Sequence, residues 1–270
     1  MKFVNKFLLV VLELIILNSL FFVPSRAQNE LPDYQYQYEQ YRKLYPQFTT
    51  ARDKFLQFET LSAQQEAISF TKQLAIQRAQ VMRTHFLLLR RRLKEISEVV
   101  TEDRTRLNTT LDSEIEWLDG HMQELESLAS PTLGQLFEIS DRFERRESSY
   151  RLLSYETLSR ILLGKVQKLQ AEAVAINFLL DEHINKQTDK DINLFKNWLS
   201  EARNSAYWSQ QGIEQAEQAL TAMIDYRGDA RETIKQFASI QAALNDSQQW
   251  LVKVVGFEKE IMNQINKNSK

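Results

Sequence analysis

Apolar residues return at steps of three and four along most of this chain, the spacing of helices that each bury one face. The first such stretch carries Tyr34, Tyr38, Tyr41, Tyr45, Phe48 and Phe55 on a single face, with Pro46 expected to kink or restart it. Thr60-Leu61-Ser62 closes it, and Ser62 with Gln65 three residues on reads as a capping box for the next helix. That helix is expected to reach Ser97 and to be roughly 50 Å long. It has two adjoining stripes, Ala67, Phe70, Leu74, Val81, Leu88 and Ala75, Ala79, Met82, Phe86, Leu89, Leu93, Ile96. A face that wide needs two neighbours, which predicts a bundle.

Residues 99–110 are the least periodic part and are expected to form the longest loop. A shorter helix then carries Leu111, Ile115, Leu118, Met122 and Leu125, ending near Ala129. Ser130 as N-cap with Pro131 at the first helical position predicts a restart, continuing to Asn185 with a bend near Glu147–Tyr150. Its second half is expected to bury Leu158, Leu162, Val166, Leu169, Ala173, Ile176, Leu180 and Ile184. Thr188 and Asp189 reset the chain. The following helix lines up Ile192, Leu199, Ala206, Ile213, Leu220 beside Phe195, Ala202, Ser209, Ala216, Met223, with small residues that allow close approach. Gly228 ends it, and a last helix is expected to bury Ile234, Phe237, Gln241, Leu244, Gln248, Leu251, Val255, Glu258, Ile261 and Ile265. The polar positions of that seam lower its stability and specify its register.

One segment departs from this pattern. Phe7–Val23 is almost unbroken apolar sequence after Lys2 and Lys6, and Pro24-Ser25-Arg26-Ala27 follows with small residues suited to cleavage before Gln28. An uncleaved signal-anchor is the alternative, because residues 7–23 approach the length of a membrane span. Both arrangements place the chain from residue 28 onward outside the cytoplasmic membrane. The expected organisation is a leader over 1–27 and one extracytoplasmic helical bundle over 28–270.

Composition sharpens this picture. Only 6 Gly and 4 Pro occur, and Pro131 is the sole proline past residue 47, too few turns for a sheet protein of this size. Without cysteine there is no disulfide framework, thiolate metal site or cysteine nucleophile. Of 34 basic residues, 31 remain after Lys2, Lys6 and Arg26 are set aside; of 36 acidic ones, 35 remain without Glu13. A net charge of −4 argues against nucleic acid, which needs a concentrated positive surface, and against adsorption to anionic lipid.

The pattern Tyr38-x2-Tyr41-x3-Tyr45, Thr60-Leu61-Ser62, and the Arg78–Leu93 stretch with Phe86-Leu87-Leu88-Leu89-Arg90 carry a resemblance to a group of known sequences. So do Glu114-Ile115-Glu116-Trp117-Leu118 and Tyr155-x2-Leu158-x2-Ile161-Leu162-x-Gly164-Lys165. Over residues 34–170 the chain resembles exported helical proteins of candidate-phyla (ultrasmall, reduced-genome) bacteria, a group without assigned activity. The resemblance implies a bacterial envelope and a helical fold, and it transfers no functional residue.

Candidate chemistry is sparse. His85, His121 and His183 have no second His at metal-ligand spacing and no Glu three residues before them, so the di-iron pattern of helix bundles is missing. Glu114, Glu116, Glu124, Glu126, Asp181 and Glu182 read as solvated helix faces, and no Gly-rich phosphate loop or nucleophile elbow occurs. Arg90-Arg91-Arg92 and the candidate anion-binding patch Arg142, Arg145, Arg146, Arg151 are set against acid-first pairs Glu138–Arg142, Asp141–Arg145 and Glu147–Arg151. Tyr34, Tyr38, Tyr41, Tyr45, Phe48 and Phe55 form the candidate aromatic interaction face, with docking on the bundle, hydroxyls at the rim, as its structural explanation. Trp117, Trp198, Trp208 and Trp250 are expected in the core or at its rim, and Asn108-Thr109-Thr110 and Asn245-Asp246-Ser247 are chance sequons.

The sequence therefore predicts an all-α protein, an elongated antiparallel bundle of five or six long amphipathic helices with coiled-coil-like packing. The expected role is non-enzymatic: a structural or protein-interaction module of the cell envelope, secreted or envelope-associated, with a ligand-binding or sensing bundle as the alternative. No cofactor and no nucleic acid are expected. The partner is a protein or an envelope polymer, and contact with a membrane is restricted to residues 7–23 if they remain attached.

Overall fold

The periodic sequence forms seven helices among residues 30–186, 192–226 and 229–268, which the computed structural model describes. They are α1 (Glu30–Phe58), α2 (Leu61–Glu95), α3 (Thr101–Ser127), α4 (Leu133–Glu144), α5 (Glu147–Asn185), α6 (Ile192–Asp225) and α7 (Ala230–Asn268). The leader segment and the reset and stop signals at Thr188, Asp189 and Gly228 lie outside the described residues.

The caps explain most departures from the expected boundaries. Glu59 takes the left-handed conformation (φ 48°) that ends α1, and Thr60 caps α2 by accepting from the Ala63 amide at 3.2 Å. Thr60, two residues earlier than expected, replaces Ser62 in that role. Thr132 and Gln135 form the capping box of α4, displacing Ser130 and Pro131. The bend expected at Glu147–Tyr150 is a break at Arg145–Arg146, so α4 and α5 are separate helices. Pro46 sits inside α1 on an exposed face, where the helix runs on unbroken.

Residues 101–110 are helical rather than a loop. Glu102 and Asp103 sit in the first turn of α3, where negative charge meets the positive end of the helix dipole. The threonine hydroxyls that made the segment look irregular donate four residues back, Thr105 to Thr101, Thr109 to Thr105 and Thr110 to Arg106. Arg104 donates to the carbonyls of Ile96, Ser97 and Val99, each at 2.8 Å, and so closes the α2–α3 turn.

Cross-helix pairs show that successive long helices run antiparallel. Arg91 meets Glu30 and Lys54 meets Glu66 between α1 and α2; Arg83 meets Asp119 and Arg90 meets Asp112 between α2 and α3. Arg203 meets Asp181 between α5 and α6, and Ser209 bonds Ser247 between α6 and α7. The two stripes of α2 find two neighbours as expected. Val81 and Leu88 pack on Tyr34, Tyr38 and Tyr41 of α1, while Ala79, Met82, Phe86, Leu89 and Leu93 enter the main core.

The middle of that core is α5. Leu153 through Ser159 are buried without interruption, so this stretch has neighbours on every side. Ser154 meets His85 of α2 at 3.1 Å, Glu156 pairs with Arg106 of α3 at 2.5 Å, and the Tyr155 ring stacks on Phe237 of α7 at 4.3 Å. Beyond Val166 the helix leaves α2 and α3 and joins α6 and α7, whose seams keep a four-three spacing: Phe195, Leu199, Ala202, Ala206, Ser209, Ile213 on α6, with Ser205 and Gly212 buried beside them, and Thr233, Phe237, Ile240, Leu244, Ser247, Leu251, Val254, Glu258, Ile261 on α7. The α6 seam matches expectation. On α7 the buried residues are Thr233, Ile240, Ser247 and Val254 where Ile234, Gln241, Gln248 and Val255 were expected; Ile240 is buried in place of a glutamine, and that phase leaves Ile234 exposed.

Two predictions follow from the α6–α7 contact. A Cβ on Gly212 would lie 2.9 Å from the Ala243 carbonyl oxygen and 2.9 Å from the Ser247 Cβ. Gly212→Val is expected to destabilise the protein by about 1–3 kcal/mol, read as a lower urea midpoint; an unchanged midpoint contradicts this close approach. Glu258 is 2 % exposed in an otherwise largely apolar seam, and burial pushes its carboxyl up to about 7 from 4.5. The folded chain then holds this proton more tightly than the unfolded chain, so its contribution to stability is full below pH 4.5 and is lost as pH rises through about 7. Glu258→Gln is expected to exceed wild type by about 1–2 kcal/mol above pH 7, with the difference vanishing near pH 4. Parallel stability profiles for the two proteins contradict it.

Candidate functional site

The rotation of α5 is set in its first half, where partners on all sides lock it, and the second half inherits that phase. The consequence departs from expectation. Gln170 and Asn177 face inward with Val166, Ala173, Leu180 and Ile184, whereas Leu169 and Ile176, expected in the seam, are 48 % and 37 % exposed. Two carboxamides thus occupy positions that apolar side chains would fill at lower cost.

These carboxamides line a groove of about 400 Å³ between α5 and α6. Val174 and Phe178 of α5 face Arg203, Tyr207 and Gln210 of α6 across it, and Ala206 supplies a small contact surface. Gln170 Nε2 donates to the Ala206 carbonyl at 2.8 Å, but its Oε1 has no protein partner. Neither Oδ1 nor Nδ2 of Asn177 has one, although the residue is only 3 % exposed. Each such buried group left unpaired costs roughly 1–3 kcal/mol. The rim is the reverse, with apolar rings turned to solvent: Phe178 is 62 % and Tyr207 58 % exposed. Tyr207 meets Trp208 edge-on at 5.4 Å, and Trp208 stacks on Trp250 of α7 at 6.2 Å, with Lys253 Nζ 3.5 Å from that ring centre.

Charge in the groove is balanced. Arg203 Nη2 lies 2.8 Å from Asp181, and the lining otherwise holds Gln170, Val174, Asn177, Phe178, Ala206, Tyr207 and Gln210. The arrangement offers hydrogen-bond donors, acceptors and aromatic faces. A lining of this kind suits a neutral group that has both polar and apolar edges. In a second groove, of about 250 Å³ between α1 and α2, Arg83 pairs with Asp119 at 2.5 Å, and the Thr84 hydroxyl donates to the carbonyls of Gln80 and Val81.

The sequence-derived candidates fall elsewhere. Tyr34, Tyr38 and Tyr41 are buried on α2, with Tyr45, Phe48 and Phe55 half-buried, so the aromatic face is docked and is not an exposed interaction surface. The wide apolar stripe of α2 draws it in. The Tyr34 and Tyr38 hydroxyls lie buried without protein partners, not at the rim, and burial pushes Tyr41 up to about 12. The candidate anion patch is neutralised side chain by side chain. Arg142 pairs with Glu124, Arg145 with Asp141, Arg146 with Glu114 and Arg151 with Glu147. Arg142 reaches across to α3 instead of to Glu138, and Arg146 also covers the Trp117 ring at 4.4 Å.

His85 and His121 are core residues, held down to about 4 by burial and therefore neutral; His121 stacks on Trp117 at 4.8 Å. Ser247 of one sequon is buried on Ser209. Among the described residues no three His, Cys, Asp or Glu side chains are placed to hold a metal ion, and no helix is long and apolar enough to cross a membrane. A signal for the groove did exist in the sequence. Gln170 and Asn177 share heptad spacing with Ala173 and Leu180, and Phe178 and Tyr207 are aromatic residues off their seams.

No protein-family model matches the chain, and no curated protein and no solved structure matches it.

The unpaired amide makes a stability prediction of unusual sign. Asn177→Leu replaces a buried unsatisfied carboxamide by an apolar side chain of similar volume, and is expected to raise stability by about 1–2 kcal/mol, seen as a higher melting temperature. A lower melting temperature would mean that the amide is satisfied within the fold.

Proposed function

We propose that the protein is a non-enzymatic, extracytoplasmic binding module of a bacterial envelope, a rigid helical scaffold that presents the α5–α6 groove to an envelope component. The observation that carries this is the coincidence, in one place, of buried unpaired amides with solvent-facing aromatic rings. Folding alone favours neither feature, since the amides weaken the seam and the rings waste apolar surface. Natural proteins tolerate such local conflicts where a ligand resolves them.

Support for the address comes from Lys2, Lys6 and the apolar run Phe7–Val23 ahead of Ala27, together with the envelope setting implied by the resemblance over residues 34–170. The groove lining, without a nucleophile beside a base or a pair of carboxylates, supports binding without chemistry.

A structural or protein-interaction role is the second reading, and one observation favours it. Leu169, Ile176 and Leu179 of α5 are exposed apolar residues outside the groove, of the kind that protein contacts cover.

The chain from residue 28 onward, which contains all seven helices, tests the first reading by co-sedimentation with envelope fragments. Wild type is expected to pellet with them, and the double substitution Phe178→Ala, Tyr207→Ala to lower the bound fraction about tenfold at unchanged helix content. Wild type remaining in the supernatant, or both proteins pelleting equally, contradicts it.

A further inference from the structure

Asn177 lines the groove and carries an amide donor and a carbonyl acceptor that are both buried and without a protein partner, and Gln170, in the same lining, adds a second buried unpaired acceptor. A ligand that satisfies both ends of Asn177 must itself carry a donor and an acceptor close together. A secondary amide does this, and hydroxyls serve the remaining acceptor. A carboxylate or phosphate would leave the Asn177 carbonyl unpaired, and an ammonium would leave its amide unpaired.

Charge points the same way. The one cationic side chain of the lining, Arg203, is paired with Asp181 at 2.8 Å, so an anionic ligand must compete with that carboxylate for it. Phe178 and Tyr207 expose flat rings at the rim, a surface that accepts the C–H face of a ring while its edges make hydrogen bonds. The volume, about 400 Å³, lies toward the lower end for small-molecule sites.

We infer that the α5–α6 groove takes a neutral pyranose unit bearing an N-acetyl group, part of an envelope glycan. Its acetamido group pairs with Asn177, a hydroxyl donates to Gln170 Oε1, and the sugar ring rests on Phe178 and Tyr207. The inference deepens the proposed function and rests on the groove being the working surface. A peptide fits less well. Among the described residues there is no strand edge for a peptide to extend, and the apolar face of a docked helix would cover Asn177 without pairing it.

Calorimetric titration with the β-1,4-linked tetramer of N-acetylglucosamine tests this, with cellotetraose as the sugar lacking the acetamido group. The Trp208 emission, next to Tyr207, gives a second readout. Saturable binding of the acetylated tetramer is expected, with cellotetraose about tenfold weaker or worse. Tyr207→Ala, an exposed position, is expected to weaken binding about tenfold at unchanged melting temperature, and Asn177→Leu to weaken it at least as much while remaining folded. No binding of the acetylated tetramer, equal binding of cellotetraose, or full binding by Asn177→Leu overturns the inference. If envelope fragments still bind through Phe178 and Tyr207 while the tetramer neither binds nor competes, the sugar assignment falls and the groove reading stands. Failure of wild type to bind the fragments removes the groove reading itself.

Discussion

Everything in this fold is referred to the burial of α5 between Leu153 and Ser159. Seven consecutive buried residues include Ser154, Glu156, Thr157 and Ser159, so the stretch is not merely greasy; its rotation is specified. Glu156 can be buried because Arg106 neutralises it, and Arg106 also meets Asp103, which in turn holds Arg160 of α5. Such a network adds little net stability, because desolvating the charges offsets most of their attraction. Breaking it by turning the helix would strand a buried charge. The network therefore acts on register, and the stack of Tyr155 on Phe237 extends the same orientation to α7.

A helix locked at one end carries its phase to the other. That is why α5 presents Gln170 and Asn177 to α6 and leaves Leu169 and Ile176 outside, against the preference of its own second half. The neighbouring helix accommodates this through small residues. Ala202, Ala206, Ser209, Gly212 and Ala216 keep α6 slim, so that Gly212 lies against the α7 backbone while the Ala206 carbonyl is within reach of Gln170. The groove is thus a product of constraints imposed about four turns away along α5.

Much of the fold was legible in the sequence. The two stripes of α2 and the four-three rhythm of α6 name their partners' sides correctly, because there the apolar pattern is unambiguous. Legibility failed where local chemistry offered two answers. Thr105, Thr109 and Thr110 suit loops and helices alike, and in α3 their hydroxyls donate to carbonyls four residues back. Leu169 or Gln170, and Val254 or Val255, are choices of phase one residue apart. The apolar option looked right for α5, yet tertiary locking overruled it. The groove was missed for the same reason, since its amides and rings are visible as a site only once the phase is known. The arginines misled in a different way: a run of positive charge reads as a patch until acids from α3 and from within α4 and α5 are seen to meet it.

Native-state hydrogen exchange along α5 tests most directly whether one locked segment governs both halves of the molecule. Amides from Leu153 to Val166 are expected to exchange slowest, only on global unfolding, with protection falling toward Gln170–Asn177 beside the groove while remaining part of the same cooperative unit. Equal protection along the helix, or release of the segment before Val166 in an opening separate from the rest of the core, would contradict the account.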